Sequence, residues 1–207
     1  MAETLNYFVT ETLITALKQI TWVEILVFIF SIIYVWLAAY QNNWCWLAAI
    51  ISVLLYTYVC FTAKLYSEMG LQVFYFIMSF YGWWQWSKHT TQNQKLNISV
   101  LKTKKHLILT ALGLLLTILL NFIMKTFTDA ALTLPDAFVT AFSLIATFMV
   151  AKKILENWVW WIVIDSLAIY VHVNRSLYLL AFLYFIYVII AVIGFINWKK
   201  EYSQQKA

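Results

Sequence analysis

The chain has 207 residues, of which 64% are hydrophobic, 19% aromatic and 11% charged, and its formal net charge is +5. A soluble domain carries about 25% charged residues and about 45–50% apolar ones, so this chain cannot cover itself with polar surface in water. One Pro and four Gly favour long uninterrupted helices and leave no Gly-rich loop to cradle a phosphate.

Residues 1–20 lack the basic start, compact apolar run and small-residue cleavage site of a secretory signal. Their apolar positions Leu5, Phe8, Val9, Leu13, Leu17 and Ile20 recur at helical spacing. This predicts a short amphipathic segment lying on a membrane surface. Seven runs then approach the about 20 apolar residues that a spanning helix needs. They cover residues 22–40, 44–62, 69–87, 106–124, 135–151, 157–173 and 177–198. None alternates with period two, so the expected class is an all-α membrane protein of seven transmembrane helices, not a barrel. Gln41-Asn42-Asn43 is nearly the whole first connection, and 88–105 is the long polar one. Cys45 and Cys60 fit no metal spacing and no disulfide framework, and read as small buried hydrophobes.

With seven spans the termini lie on opposite faces. Lys18, Lys64, Lys125 and Arg175 fall on the N-terminal side. Lys88, Lys95, Lys102, Lys104, Lys105, Lys152, Lys153, Lys199, Lys200 and Lys206 fall on the other. The positive-inside rule then puts the N-terminus outside and the C-terminus, with the 88–105 loop, in the cytoplasm. That loop would touch anionic lipid. Trp22, Trp44, Trp86, Trp158 and Trp198 sit at expected helix ends, where indoles anchor at the interface.

The two halves resemble each other. Asn43-Trp44-Cys45-Trp46 matches Asn157-Trp158-Val159-Trp160 at a distance of 114, which sets Ile51 opposite Asp165. Leu65-Tyr66 matches Leu177-Tyr178, and Gly82 matches Gly194, at 112; Trp86 then meets Trp198. The expected organisation is a peripheral segment (1–20), a three-helix repeat (21–87), a basic loop (88–105), a connector helix (106–124), a second repeat (134–198) and a tail (199–207). Four spans separate equivalent helices, so the repeats are parallel, a layout in which the substrate site lies near midplane between them.

The sixth run carries the most telling group. An ionisable side chain at membrane depth is expensive and marks a functional site by default. Trp158, Trp161 and Asp165 are spaced i, i+3, i+7 on one helical face. Asp165 lies about eight residues, or about 12 Å, from one end of its run, close to the bilayer centre. A carboxylate with indoles nearby suits a planar cationic ligand, the indoles stacking and the charge balancing. In the third run Gln72, Phe76, Ser79, Trp83 and Trp86 share a face, and Gln72 offers an amide to a sugar or carboxamide. In the last run Tyr184, Tyr187, Ala191 and Gly194 share one. Trp46, in the matching motif of the first half, joins the candidates. An aromatic stripe at helical spacing is more often plain packing than a ligand wall. Glu24 is expected at the outer interface, Asn121 and His172 near the outer surface, and His106 solvated. No phosphate loop, metal cluster or activated nucleophile indicates an enzyme or a cofactor, and a chain this apolar meets lipid and a small molecule, not nucleic acid.

Two stretches resemble the Pnu family of bacterial vitamin transporters. One runs from Leu71-Gln72-Val73-Phe74-Tyr75-Phe76 to Tyr81-Gly82-Trp83-Trp84-Gln85-Trp86-Ser87, followed by Thr91-Gln92-Asn93. The other runs from Glu156-Asn157-Trp158 through Trp161 to Asp165. The resemblance covers essentially the whole chain. It implies a three-plus-one-plus-three helix arrangement in the bacterial inner membrane, often a homotrimer. It also implies facilitated diffusion of a vitamin that cytoplasmic kinases then trap by phosphorylation. Family members hold the ligand with a Trp-x-x-Trp-x-x-x-Asn-like motif, whose places Trp158, Trp161 and Asp165 occupy here. Asp165 stands where nicotinamide riboside members usually have Asn. Nicotinamide riboside is the expected substrate, with thiamine, also cationic, the rival. Two other readings are a proton-coupled version acting through Asp165, and a non-transporting scaffold or sensor.

Overall fold

The computed structural model describes residues 21–62, 66–91, 96–127 and 132–206. The expected surface segment at 1–20 lies outside them. Seven α-helices are described: α1 (Trp22–Ala39), α2 (Cys45–Thr62), α3 (Tyr66–Thr91), α4 (Thr103–Phe127), α5 (Thr133–Ala151), α6 (Asn157–Asn174) and α7 (Tyr178–Gln204). Each coincides with one of the seven apolar runs. By length and composition α1, α2, α4, α5 and α7 are apolar enough to cross a membrane. The other two, α3 and α6, carry the buried polar residues Gln72, Ser79, Gln85, Asn157 and Asp165.

Local chemistry explains several helix ends. Thr21 and Glu24 form a reciprocal capping box, Glu24 Oε2 accepting from the Thr21 N–H at 2.7 Å. Glu24 therefore satisfies a helix start and is no isolated interfacial charge. Three helices run past their apolar stretches. α3 continues to Thr91, α4 begins at Thr103, and α7 continues to Gln204, so most of the stretch read as a tail is helix.

Gln41 (φ 54°) and Lys153 (φ 50°) both adopt left-handed backbone in the turns after α1 and α5. They are 112 positions apart, and so are the starts of α2 and α6 and of α3 and α7. Trp46 packs on Gly82, and Trp158 packs on Gly194, where an added Cβ would stand 2.7 Å from the indole. The spacing of 112 thus holds throughout. It pairs Trp46, not Trp44, with Trp158, and Val53, not Ile51, with Asp165. The 114-residue match of Asn-Trp-x-Trp was a local coincidence of indoles, and helix packing corrects it.

The helices pack consecutively as α1–α2–α3 and as α5–α6–α7. Contacts of α1 with α7 and of α3 with α5 close these six into a ring, while α4 leans on the outside against α5, with His106 6.5 Å from Trp160 of α6. Gly113 of α4 receives Phe142 of α5, which stacks between Phe138 (4.3 Å) and Trp160 (4.6 Å). The main core lies toward one end of the ring, the end bearing Lys88, Lys152, Lys153 and Lys199. There four indoles form a chain. Trp46 meets Trp86 edge to face at 5.4 Å, Trp86 meets Trp198 at 6.1 Å, and Trp198 meets Trp158 edge to face at 5.4 Å. Offset and edge-to-face geometry is what ring quadrupoles favour. Trp198 Nε1 also donates to the Ala38 carbonyl at 3.1 Å, tying α7 to α1.

Candidate functional site

Two turns into α6, Asp165 points into the ring. It is 2% exposed, and its Oδ1 has no hydrogen-bond partner among the described residues. Tyr75 of α3 and Tyr187 of α7 are close enough to sense its charge. Each tyrosine has a serine partner across the junction between the halves. Tyr75 hydrogen-bonds with Ser143 of α5, and Tyr187 with Ser31 of α1. Tyr34 of α1 lies near both tyrosines. These groups come from α1, α3, α5, α6 and α7, so the site exists only when the ring is closed.

The pairs repeat with the fold. Ser31 and Ser143 are 112 apart, and so are Tyr75 and Tyr187. Asp165 faces no duplicate, because its counterpart is Val53. A buried carboxylate lacking a partner is costly. The Tyr75 and Tyr187 hydroxyls in its neighbourhood offer polar contacts to a ligand, and the tyrosine faces offer π surfaces to a cation.

The expected site residues take different places. Asp165 and Tyr187 meet in the ring. Tyr184 joins them from the next turn of α7, its ring 5.7 Å from Tyr187 and 4.9 Å from His172. Gln72 is buried on α3, one turn from Tyr75. Trp161 is half-buried and packs against both apolar cores. Trp158 and Trp46 are each 1% exposed, with their faces taken up by Gly194 and Gly82. They stand as a packed pair, not an open stacking wall, although each indole N–H lacks a hydrogen-bond partner. Ser79 donates its hydroxyl back to the Tyr75 carbonyl at 2.8 Å, which spends that group on its own helix. His172 is likewise turned to its own helix, Nδ1 lying 2.7 Å from the Ala168 carbonyl. Among the described residues no three His, Cys, Asp or Glu side chains converge as a metal site would require.

Sequence reading missed Tyr75, Tyr34, Ser31 and Ser143. The signal for three of them was the repeat itself, since Ser31/Ser143 and Tyr75/Tyr187 are identical pairs once the spacing is 112.

A family model described as nicotinamide mononucleotide transporter matches residues 21–200. The nicotinamide riboside transporter PnuC of Escherichia coli K12 is 26% identical over 205 residues, covering 87% of this chain and 86% of that protein. The PnuC of Neisseria mucosa is 30% identical over 168 residues, covering 75% of this chain and 63% of that protein. The crystal structure of the vitamin B3 transporter PnuC superposes with a TM-score of 0.75 at 24% identity, covering 97% of this chain and 90% of that one. The chain therefore belongs to the nicotinamide mononucleotide transporter family, the Pnu vitamin transporters, and is a multi-pass protein of the bacterial inner membrane.

Proposed function

We propose that the chain carries a cationic heteroaromatic vitamin, nicotinamide riboside, across the inner membrane by facilitated diffusion, and that cytoplasmic phosphorylation traps it. The observation that carries this reading is Asp165. It is a buried carboxylate with an unpartnered oxygen, ringed by tyrosines, where the two halves meet. A pyridinium ring would balance that charge and stack on a tyrosine face, a contact worth up to about 2 kcal/mol when desolvated. Ribose hydroxyls would bond to the Tyr and Ser hydroxyls and to Gln72, and the Trp158 and Trp46 N–H groups remain free to donate. The names of the two PnuC relatives support the vitamin.

The transporter architecture belongs to the same reading. Segments 21–87 and 134–198 are parallel repeats joined by the connector 106–124, which supports placing the site between them. The lysine distribution favours an outer N-terminus and a cytoplasmic C-terminus. A homotrimer rests on family resemblance alone. Asp165 itself favours a second substrate, thiamine, because a carboxylate replaces the Asn of nicotinamide riboside members and a thiazolium is also cationic.

Binding of nicotinamide riboside, thiamine and riboflavin to the purified protein separates these. Tightest binding of nicotinamide riboside, weakened at least tenfold by Asp165→Ala, is the expected result. Tightest binding of thiamine moves the substrate to the second reading, and an unchanged affinity in the variant removes Asp165 from the site. Counterflow in sealed vesicles should stop at equal concentrations; accumulation beyond that, lost when a proton gradient is collapsed, would replace diffusion by proton coupling.

A further inference from the structure

Residues 96–101, between α3 and α4, cross the lysine-rich end of the ring as a strap. Ile98 is 3% exposed and sits with Leu96 in the same core as the four indoles. The strap's backbone makes its ties to the second half. The Ser99 N–H donates to the Lys153 carbonyl at 2.9 Å, and the Leu155 N–H donates to the Ser99 carbonyl at 2.9 Å, which makes a single parallel bridge between Ser99 and Ile154. The Leu101 N–H donates to Glu156 Oε1 at 3.0 Å, and the Ile98 N–H to Gln205 Oε1 at 3.1 Å. One segment thereby latches the α5–α6 turn and the end of α7. Lys153, in that turn, reaches back to the first half. Its Nζ donates to Gln41 Oε1 at 3.1 Å and stands 4.6 Å over the Trp86 ring.

The position of the strap matters for transport. The Asp165 site is buried, and on this side the four-indole chain and then the strap stand between it and the surface. Any ligand leaving here must part them. Trp46 and Trp158 are wedged on Gly82 and Gly194 within their own halves, so they move with their helices. The strap is held by one isolated bridge and by two side-chain acceptors, the exposed Gln205 and the half-buried Glu156, and water can replace bonds of this kind once the strap lifts. Its release costs the buried Ile98 and few backbone bonds, which puts it at the low-stability end of the fold.

We infer that the 96–101 strap is the latch of the gate on the lysine-rich face, and that it must detach from the α5–α6 turn for the ligand to pass. This rests on the transporter reading above. The test is a disulfide lock. Bridged β residues lie about 5 Å apart at Cα, within disulfide reach, so Ser99→Cys with Ile154→Cys, in a Cys45→Ala, Cys60→Ala background, can be closed by mild oxidation. In proteoliposomes the oxidised protein should lose at least tenfold of its nicotinamide riboside flux and regain it on reduction. Binding of nicotinamide riboside to the purified locked protein should stay within about twofold of the reduced form. Undiminished flux in fully cross-linked protein, or binding lost together with flux, overturns the latch. A parent that neither binds nor carries the vitamin points instead to failure of the transporter reading. A second readout then still tests the strap. Met78→Cys, placed between Tyr75 and Gly82 on the site side of the indoles, should react with a maleimide at least tenfold more slowly in the locked form. Equal rates in both forms overturn the proposal.

Discussion

The halves α1–α3 and α5–α7 use the same residues for holding together and differ at the proposed vitamin site. Trp46/Trp158, Gly82/Gly194, Trp86/Trp198, Ser31/Ser143 and Tyr75/Tyr187 each recur at 112, and their Trp–Gly, Trp–Trp and Tyr–Ser contacts recur with them. These contacts bring helices together within a half or across the junction. Asp165 recurs as Val53, and Gln72 as Tyr184. A vitamin has no two-fold axis, so a site that fixes its orientation must break the symmetry of its scaffold. In the proposed site the breaks are the Asp165 charge and the Gln72 amide, set among duplicated tyrosines.

Moving that charge is the sharpest way to break the comparison. Asp165→Val should weaken vitamin binding about 100-fold, since a charge-assisted contact is worth about 1.5–3 kcal/mol. Adding Val53→Asp returns a carboxylate at the symmetry-related place. If the halves are equivalent around the site, at least tenfold of the lost affinity returns, with the ligand turned about. Titration calorimetry on the two variants decides it: a double variant no better than the single one means Val53 does not look into the same cavity.

The glycines test the scaffold. A Cβ at Gly82 or Gly194 runs into the indole of Trp46 or Trp158, and overpacking of this kind costs about 1–3 kcal/mol. Gly82→Ala and Gly194→Ala should therefore lower stability by similar amounts in detergent unfolding. A loss confined to one would mean that the two Trp–Gly wedges bear unequal load.

Much of this was legible beforehand, and the gaps have physical causes. Apolar runs locate helices because lipid demands apolar surface, so all seven were found. Their ends were missed at α3, α4 and α7, where the backbone ladder continues through Lys88, Thr103 and Lys199 after the apolar demand has ceased. Asp165 was conspicuous because a carboxylate is costly in an apolar run. Ser31 and Ser143 were not, because a serine hydroxyl on a membrane helix can bond to its own backbone, as Ser31 does to the Phe28 carbonyl at 2.9 Å, and Tyr34 and Tyr75 were not, because an aromatic in an apolar run reads as packing. The packing of the Trp158 face was hidden for the converse reason. An indole beside a carboxylate suggests a ligand wall, but its pairing with Gly194, 36 positions away, shows only in three dimensions.

The tyrosine–serine ties come next in size. Tyr75→Phe and Tyr187→Phe each remove one hydrogen bond between the halves, worth about 1 kcal/mol. Their effects on unfolding should match and should add in the double variant, since each tie uses its own serine. A coupling above about 0.5 kcal/mol in that cycle would mean the two ties communicate through Asp165.

The smallest effect is expected where the halves differ at the opposite end of the ring. Glu24 and Asp136 are 112 apart, both in the first turn of their helices, yet Glu24 closes the capping box with Thr21 while Asp136 pairs with Arg175 at the end of α6. Arg175 is the one arginine of the chain, and its counterpart, residue 63, is an alanine. The pair is partly exposed, so solvent screening should hold its contribution to about 0.2–1 kcal/mol. Arg175→Ala should shift unfolding by no more than that, and the shift should shrink in high salt. A loss well above 1 kcal/mol, insensitive to salt, would make the ion pair a structural clasp of the second half and extend its asymmetry from the site to the scaffold.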